Sequence, residues 1–315
     1  MTTPKSCRMT CGGIATLKVA TNHSLLNQLW STIVLLKNTT PRVQKKVVVI
    51  APTNTTTQDL TIALKRATKG LGAEKKVGIV WIVSRAHTPN IIEGQEAYQE
   101  TLEAKVLEGS PSENSLNNRD KNKLKELEKE RKNTGFKNNK VQETTYNELL
   151  RKAKEAVVTE ADIIICTTQT ASNKLIQNQT VGHLIIDEAG MITEMDILIP
   201  LSLIPEKVTF IGDEKQLQPT YCSKTIENLG MKSLFRRIVH SDTINTIQLE
   251  EQMRGPMITM QVSSREFYKD SLRARDGLDD LRKKENEKIG IWRDDKLINN
   301  KVYNKDGKLL GEDTH

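Results

Sequence analysis

His183-Leu-Ile-Ile-Asp-Glu-Ala-Gly190 decides the fold: a short apolar run ends in two adjacent carboxylates, Asp187 and Glu188, followed by Ala and Gly. A continuous apolar strand of this kind is buried on both faces, as in a parallel sheet covered by helices. Ligands of open α/β sheets bind beyond the carboxyl ends of such strands. There a first carboxylate can hold Mg²⁺ while the second polarises an attacking water. The alternative reading is a strand followed by an acidic helix start, since Asp and Glu favour the positive end of a helix.

Working outward, β-branched apolar runs recur at 47–51, 77–83, 162–167, 183–187, 208–212 and 244–249, separated by helical or polar stretches. The expected fold class is therefore α/β, a parallel sheet with flanking helices. Twenty-five positions after Asp187, the strand at 208–211 ends in Gly212-Asp213-Glu-Lys-Gln216-Leu-Gln-Pro219. This second strand end offers the Asp213 carboxylate and the Gln216 amide, and an amide both donates and accepts, as a contact to a γ-phosphate or its attacking water requires. Two further strand ends, Pro52-Thr53-Asn54 and Thr167-Thr168-Gln169, offer hydroxyls and amides without charge. Such groups position a nucleic-acid backbone without reading its sequence, although Asn, Thr and Pro are also ordinary turn formers.

Nearly eighty residues separate the second and third of these strands, more than a βα connection requires. Within them 118–132 is almost entirely charged or Asn, with Leu124 and Leu127 as its only aliphatics, and 146–158 places Leu149, Leu150, Ala153 and Val157 at helical spacing. Two helices forming an insertion at about 84–158 account for both features, with disorder of 110–140 as the competing reading. Beyond 270 the chain is a polar tail, in which Asp306-Gly307 between short apolar pieces predicts a hairpin.

The 47 Lys and Arg outnumber the 40 Asp and Glu, giving a net charge of +7. That excess is local: residues 1–50 hold seven basic and no acidic residues, 119–140 hold nine and four, and 141–270 hold 13 and 18. Lys121, Lys123, Lys125 and Lys129 on the central block are candidates for phosphate contact, against the plainer reading of a solvated helix face. No apolar run reaches the ~20 residues of a spanning helix. Four cysteines without a CxxC pair fit a reducing compartment, so an intracellular location, cytoplasmic or nuclear, is expected.

These motifs in this order resemble the superfamily 1 helicases, specifically the nonsense-mediated-decay and senataxin-like branch. Ala51-Pro-Thr-Asn54 is similar to the motif after that family's second core strand, and Ala161-Asp-Ile-Ile-Ile-Cys-Thr-Thr168 to its nucleic-acid-contacting strand. Asp187-Glu-Ala-Gly190 resembles Walker B, Gly212 to Pro219 resembles motif III, and Leu249-Glu-Glu-Gln-Met-Arg254 with Phe267-Tyr268 resembles motif IV. The resemblance covers about 45–270 and implies a RecA-like P-loop NTPase domain with 1–44 as an N-terminal segment and 271–315 as a tail. It further implies that Asp187 coordinates Mg²⁺, that Glu188 is the catalytic base, that Gln216 senses the γ-phosphate, and that Arg254 binds phosphate. ATP and Mg²⁺ follow as cofactors and single-stranded RNA or DNA as partner.

One part of the family pattern departs. A phosphate loop needs Gly for close backbone approach, Lys for the phosphates and Ser or Thr for Mg²⁺. Before the helical period at 24–36, Gly13 and Lys18 have the first Gly-to-Lys distance, but Leu17 and Val19 stand where the second Gly and the Ser or Thr belong. Lys18 is the candidate phosphate-binding lysine on that spacing. The chain also stops before the family's second RecA-like domain, which supplies an arginine finger. A weak or inactive ATPase is expected, needing a phosphate loop and a second domain from a longer isoform or a partner, or else a non-enzymatic nucleic-acid-binding scaffold in RNA processing or silencing.

Overall fold

The computed structural model describes residues 14–18, 45–69, 77–84, 96–107, 117–136, 139–221, 223–225, 233–241, 244–252, 257–274, 301–303 and 309–312. Two compact units are present, Met1–Gln248 and Leu249–His315.

The first unit is built on seven strands: β1 (Ile14–Lys18), β2 (Lys46–Ala51), β3 (Ile79–Ile82), β4 (Ile163–Thr167), β5 (Val181–Ile186), β6 (Lys207–Gly212) and β7 (Asn245–Gln248). They form one sheet in the order β3-β4-β2-β5-β6-β1-β7, and every pairing is parallel. β2, β4 and β5 are buried along their whole length, as their Val and Ile content dictates. All six apolar runs read from the sequence are strands. β1 is an addition: Ile14-Ala-Thr-Leu-Lys18 pairs in register with Val208–Gly212 on one side and, from Ala15, with Asn245–Gln248 on the other. A five-residue run with only two large aliphatics carries a weak periodic signal of its own, and its two parallel neighbours, 190 or more positions distant, are what recruit it into the sheet.

Helix α1 (Asn54–Lys69) follows β2 directly and packs on β3 and β4. Thr53 begins it, its Oγ1 accepting from the Thr56 amide at 3.1 Å. Trp81 of β3, fully buried, donates through Nε1 to Thr57 Oγ1 at 3.1 Å and so locks helix to sheet without leaving the indole unsatisfied.

The insertion is helical, as expected: α2 (Leu102–Leu107), α3 (Asn118–Thr134) and α4 (Lys140–Glu160). Of the 110–140 block for which disorder is the competing reading, residues 118–134 are helix. Asn117 caps α3, accepting from the Asp120 amide at 2.7 Å, and Gly135 ends it in the left-handed region at φ 61°, a conformation that favours glycine. Leu124 and Leu127 are buried with Tyr146, Leu149 and Ala153 of α4 in one continuous core with the sheet. At its far end α4 is tied to β2: the buried Lys46 ammonium donates to the Thr159 carbonyl and, at 2.6 Å, to the Ala161 carbonyl. Burial lowers the Lys46 pKa, while Asp162 and Glu160 oppose that shift.

Three short helices complete this unit: α5 (Lys174–Gln177), α6 (Glu194–Leu201) and α7 (Leu234–Val239). No helix among the described residues is long and apolar enough to cross a membrane.

The second unit contains β8 (Glu251–Gln252), α8 (Met257–Tyr268), β9 (Arg273–Ala274), β10 (Lys301–Tyr303) and β11 (Leu309–Glu312). β10 and β11 pair antiparallel around Asp306-Gly307, the hairpin that the dipeptide predicts, although those two residues themselves lie outside the described set. The helical period at 24–36 and Cys7, Cys11 and Cys222 also lie outside it.

Candidate functional site

Because every strand is parallel, the carboxyl ends of β4, β2, β5, β6 and β1 fall along one edge of the sheet, and that is where the motif residues stand. Asp187 is the first residue past β5, with its amide donating to the Ile50 carbonyl of β2 at 2.8 Å. Glu188 follows at φ 50°, ψ 38°, a left-handed conformation uncommon for a residue with a Cβ. Its carbonyl accepts from the Met191 amide at 2.9 Å, closing a single 3-10 turn over Ala189–Met191.

Two glycines bring this turn onto the end of β6. A Cβ on Gly190 would lie 2.9 Å from the Asp213 carbonyl oxygen, and one on Gly212 would lie 3.0 Å from the Gly190 nitrogen and 3.1 Å from that of Ala189. Only bare backbone fits at both positions, and as a result the Asp187-Glu188 turn and the Asp213–Gln216 turn are stacked. Phe235 of α7, fully buried, packs beside Gly212 and closes the contact from behind.

Asp213 is buried, and its carboxylate organises its own turn: Oδ1 accepts from the Lys215 amide at 2.9 Å and Oδ2 from Gln216 Nε2 at 2.9 Å. The Gln216 amide is thus held by Asp213, with its side chain still exposed. Burial, and next the neighbouring Glu188 carboxylate, push the Asp187 pKa up to about 6 against a stabilising backbone hydrogen bond. A carboxylate destabilised in this way gains from a divalent cation. Among the described residues no group of three or more His, Cys, Asp or Glu could hold a metal ion. Mg²⁺ takes as few as one or two protein carboxylates and fills its remaining positions with phosphate and water, and Asp187 is a carboxylate of the kind such a site uses.

The two uncharged strand ends are also joined. The Thr168 amide donates to the Ala51 carbonyl at 3.2 Å, which sets Thr167-Thr168-Gln169 beside Pro52-Thr53-Asn54. Thr167 and Thr168 are buried, with Thr167 Oγ1 2.8 Å from Thr170 Oγ1. Gln169 is exposed and donates to Asp196 Oδ1 at 2.6 Å. Asn54 Oδ1 is enclosed and has no hydrogen-bond partner.

Lys18 is the last residue of β1, in register with Gly212 and Gln248. Of the Gly13-to-Lys18 spacing considered for a phosphate loop, residues 14–18 are therefore strand, and Gly13 lies outside the described residues. β1 lies between β6 and β7, so its carboxyl end is at the edge that carries Asp187 and Gly212. Arg254 lies outside the described residues. Lys123 and Lys125 are exposed on α3 and Lys121 is half-buried.

Two groups of residues escaped the sequence reading. Thr193 caps α6, accepting from the Asp196 amide at 3.1 Å and donating to Asp196 Oδ2 at 2.8 Å. This pair joins the turn after β5 to Gln169, and Thr-x-x-Asp before an apolar run was its available signal. The other is Glu214, whose side chain is 6% exposed and meets His240 Nε2 at 2.6 Å. No local pattern links positions 26 apart.

The parallel sheet with flanking helices is that of a RecA-like domain, and the stacked acidic turns stand at its strand-end edge. Residues 5–224 match the family described as AAA domain (AAA_11), and the chain belongs to that family, as a first RecA-like domain of superfamily 1 helicases of the nonsense-mediated-decay and senataxin-like branch. A stretch of 127 residues is 39% identical to 3'-5' exoribonuclease HELZ2 of Mus musculus, covering 39% of this chain and 4% of that protein. Another, of 131 residues, is 33% identical to the regulator of nonsense transcripts 1 homolog of Arabidopsis thaliana, covering 41% and 10%. A third, of 133 residues, is 31% identical to helicase sen1 of Schizosaccharomyces pombe, covering 41% and 8%. The chain thus matches only a small part of each relative's length.

Proposed function

We propose that this helicase-like motor domain binds Mg²⁺ and a nucleoside triphosphate at the carboxyl edge of β5, β6 and β1, and single-stranded nucleic acid along the ends of β2 and β4. The observation that carries the proposal is the glycine-on-glycine stacking of Gly190 and Gly212, which sets Asp187 and Glu188 against Asp213 and Gln216. In this reading Asp187 holds the metal, Glu188 draws a proton from the attacking water, and Gln216 leaves Asp213 to meet the γ-phosphate. Arg254 supplies a fixed cation, and Lys18 reaches the nucleotide from the end of β1. Phosphate-backbone contact falls to Pro52, Thr53 and Asn54 and to Thr167, Thr168 and Gln169, with Lys121, Lys123 and Lys125 adding charge.

Turnover at a helicase rate also calls on a phosphate-cradling loop and a second RecA-like domain. A reducing, cytoplasmic or nuclear setting suits the buried, unpaired Cys166. The test is equilibrium binding of a fluorescent ATP analogue followed by nucleic-acid-stimulated hydrolysis. Mg²⁺-dependent micromolar binding, lost in Asp187→Asn, is the expected result, with hydrolysis slow. Absence of any binding would reject nucleotide use by this chain.

A second reading, a helicase-like scaffold that holds nucleic acid without turnover, draws on one observation. The spacing nearest to a phosphate loop is strand β1. RNA binding that persists unchanged in Asp187→Asn, with no ATP analogue bound by either protein, is its signature.

A further inference from the structure

The helix that follows Glu188 is tied to the end of β4 by one carboxylate. Asp196 is the third residue of α6, and its two oxygens bind in different directions. Oδ2 accepts at 2.8 Å from the hydroxyl of Thr193, the residue that caps the helix. Oδ1 accepts from Gln169 Nε2 at 2.6 Å, across 27 positions of chain. In a plain capping box the third helical residue turns its side chain back to the cap amide, so the reach to Gln169 is not required by the cap. The neighbouring Glu194 is paired with Arg237 at 2.5 Å, which leaves Asp196 as the carboxylate that meets Gln169.

The cap is also close to the catalytic turn. The Met191 amide donates to the Glu188 carbonyl, Ile192 is buried, and Thr193 comes next, so no loop lies between turn and helix to absorb a movement. Glu188 itself is left-handed, a conformation that a residue with a Cβ keeps only while surrounding contacts hold it. At the other end of the connection Gln169 is exposed. A phosphate oxygen arriving there is a second acceptor for Nε2, and its charge is unfavourable beside the Asp196 carboxylate. Both effects part Gln169 from Asp196.

We propose that Asp196 is a positioning residue, a latch that holds the Glu188 turn in its strand-free geometry through Gln169, and that a nucleic-acid phosphate at Gln169 releases it. The release step rests on the reading that the end of β4 meets nucleic acid. Strand binding at one strand end thereby resets the base at another, and by linkage a change that breaks the latch tightens strand binding.

Gly190, buried in the Glu188 turn, reports the latch through its amide resonance in the glycine-labelled full chain. Gly78, at the opposite, amino end of the sheet with its amide on Asp162 Oδ2 at 2.8 Å, is the reference. The strand probe is a short oligouridylate, with binding read by anisotropy. Gln169→Ala, an exposed change that leaves the Thr193 cap in place, should move Gly190 without any nucleic acid and leave Gly78 where it is. Oligouridylate should move Gly190 of the wild type in the same direction. Asp196→Ala should show the moved resonance from the start, with no further change on binding. It should also bind oligouridylate about threefold or more tightly, because a competing acceptor and a like charge are gone, whereas a merely stabilising role predicts no gain. Thr193→Ser, which keeps the hydroxyl, should behave as wild type. An unmoved Gly190 in Gln169→Ala overturns the latch, and that result needs neither nucleic acid nor a folded Asp196→Ala. Oligouridylate bound by the wild type with Gly190 unmoved, or bound no more tightly by folded Asp196→Ala, overturns the release step. Absence of binding rejects the strand-contact reading and release with it, while Gln169→Ala still decides the latch.

Discussion

At the scale of single residues, the site rests on places where a side chain is forbidden or a charge is uncomfortable. Gly212→Ala would put a methyl 3.0 Å from one backbone nitrogen and 3.1 Å from another. Backbone cannot swing aside, so we expect a loss of about 1–3 kcal/mol in urea unfolding, with weakened nucleotide binding, whereas an exposed glycine such as Gly135 lacks any such neighbour. His183 gives a pH signature. It is buried in β5, its Nε2 2.8 Å from Thr209 Oγ1, and burial followed by the Lys207 charge lowers its pKa to about 4. Above the ordinary histidine value of about 6.5 neither the folded nor the unfolded state is protonated there, and nothing is lost. As pH falls from about 6.5 to about 4, the unfolded chain takes up the proton alone and stability declines, by as much as ~3 kcal/mol. Denaturation midpoints across that window should fall steeply in the wild type and less so in His183→Gln. The Asp187-Glu188 pair was legible from sequence because adjacent acids at a strand end are rare in a buried run; Glu214 with His240 was not, because nothing in either residue's surroundings names the other.

At the scale of elements, most of what the sequence predicted was a matter of period and composition, and those are local quantities. The strands at 47–51 and 163–167 are runs of Val and Ile that suit no other environment, and the buried stripe of α4 is its own apolar spacing. How the elements are fastened was not local. Lys46 read as one more cation of a basic N-terminal region, yet its ammonium is buried under the last turn of α4 and satisfies two carbonyls at the helix end. Lys46→Met should cost about 1–3 kcal/mol, mostly through the orphaned carbonyls and the lost charge at the negative helix terminus, and should raise hydrogen exchange in the last turn of α4 before that of β2. Equal protection in both proteins would mean that the carbonyls are satisfied without it.

At the scale of the whole molecule, charge and topology divide the work. Residues 141–270, with 13 basic and 18 acidic residues, are net negative, and positive charge is concentrated in the 119–140 block and the first fifty residues. If α3 contacts a strand, replacing Lys121, Lys123, Lys125 and Lys129 together should weaken single-stranded RNA binding and reduce the slope of log K against log salt by about 0.7 per lost phosphate contact. An unchanged slope would return those lysines to solvent. The motifs, their order, the parallel α/β class and the helical insertion were set by the sequence alone, because burial on two faces and helical period leave marks that a chain carries locally. Only the tertiary structure decided that Ile14–Lys18 is a strand, that Gly190 and Gly212 stack, and that Asp196 holds the Gln169 amide. Those facts depend on which backbone lies within a few ångströms of which, across as many as 230 positions of chain, and no local pattern encodes a distance of that kind.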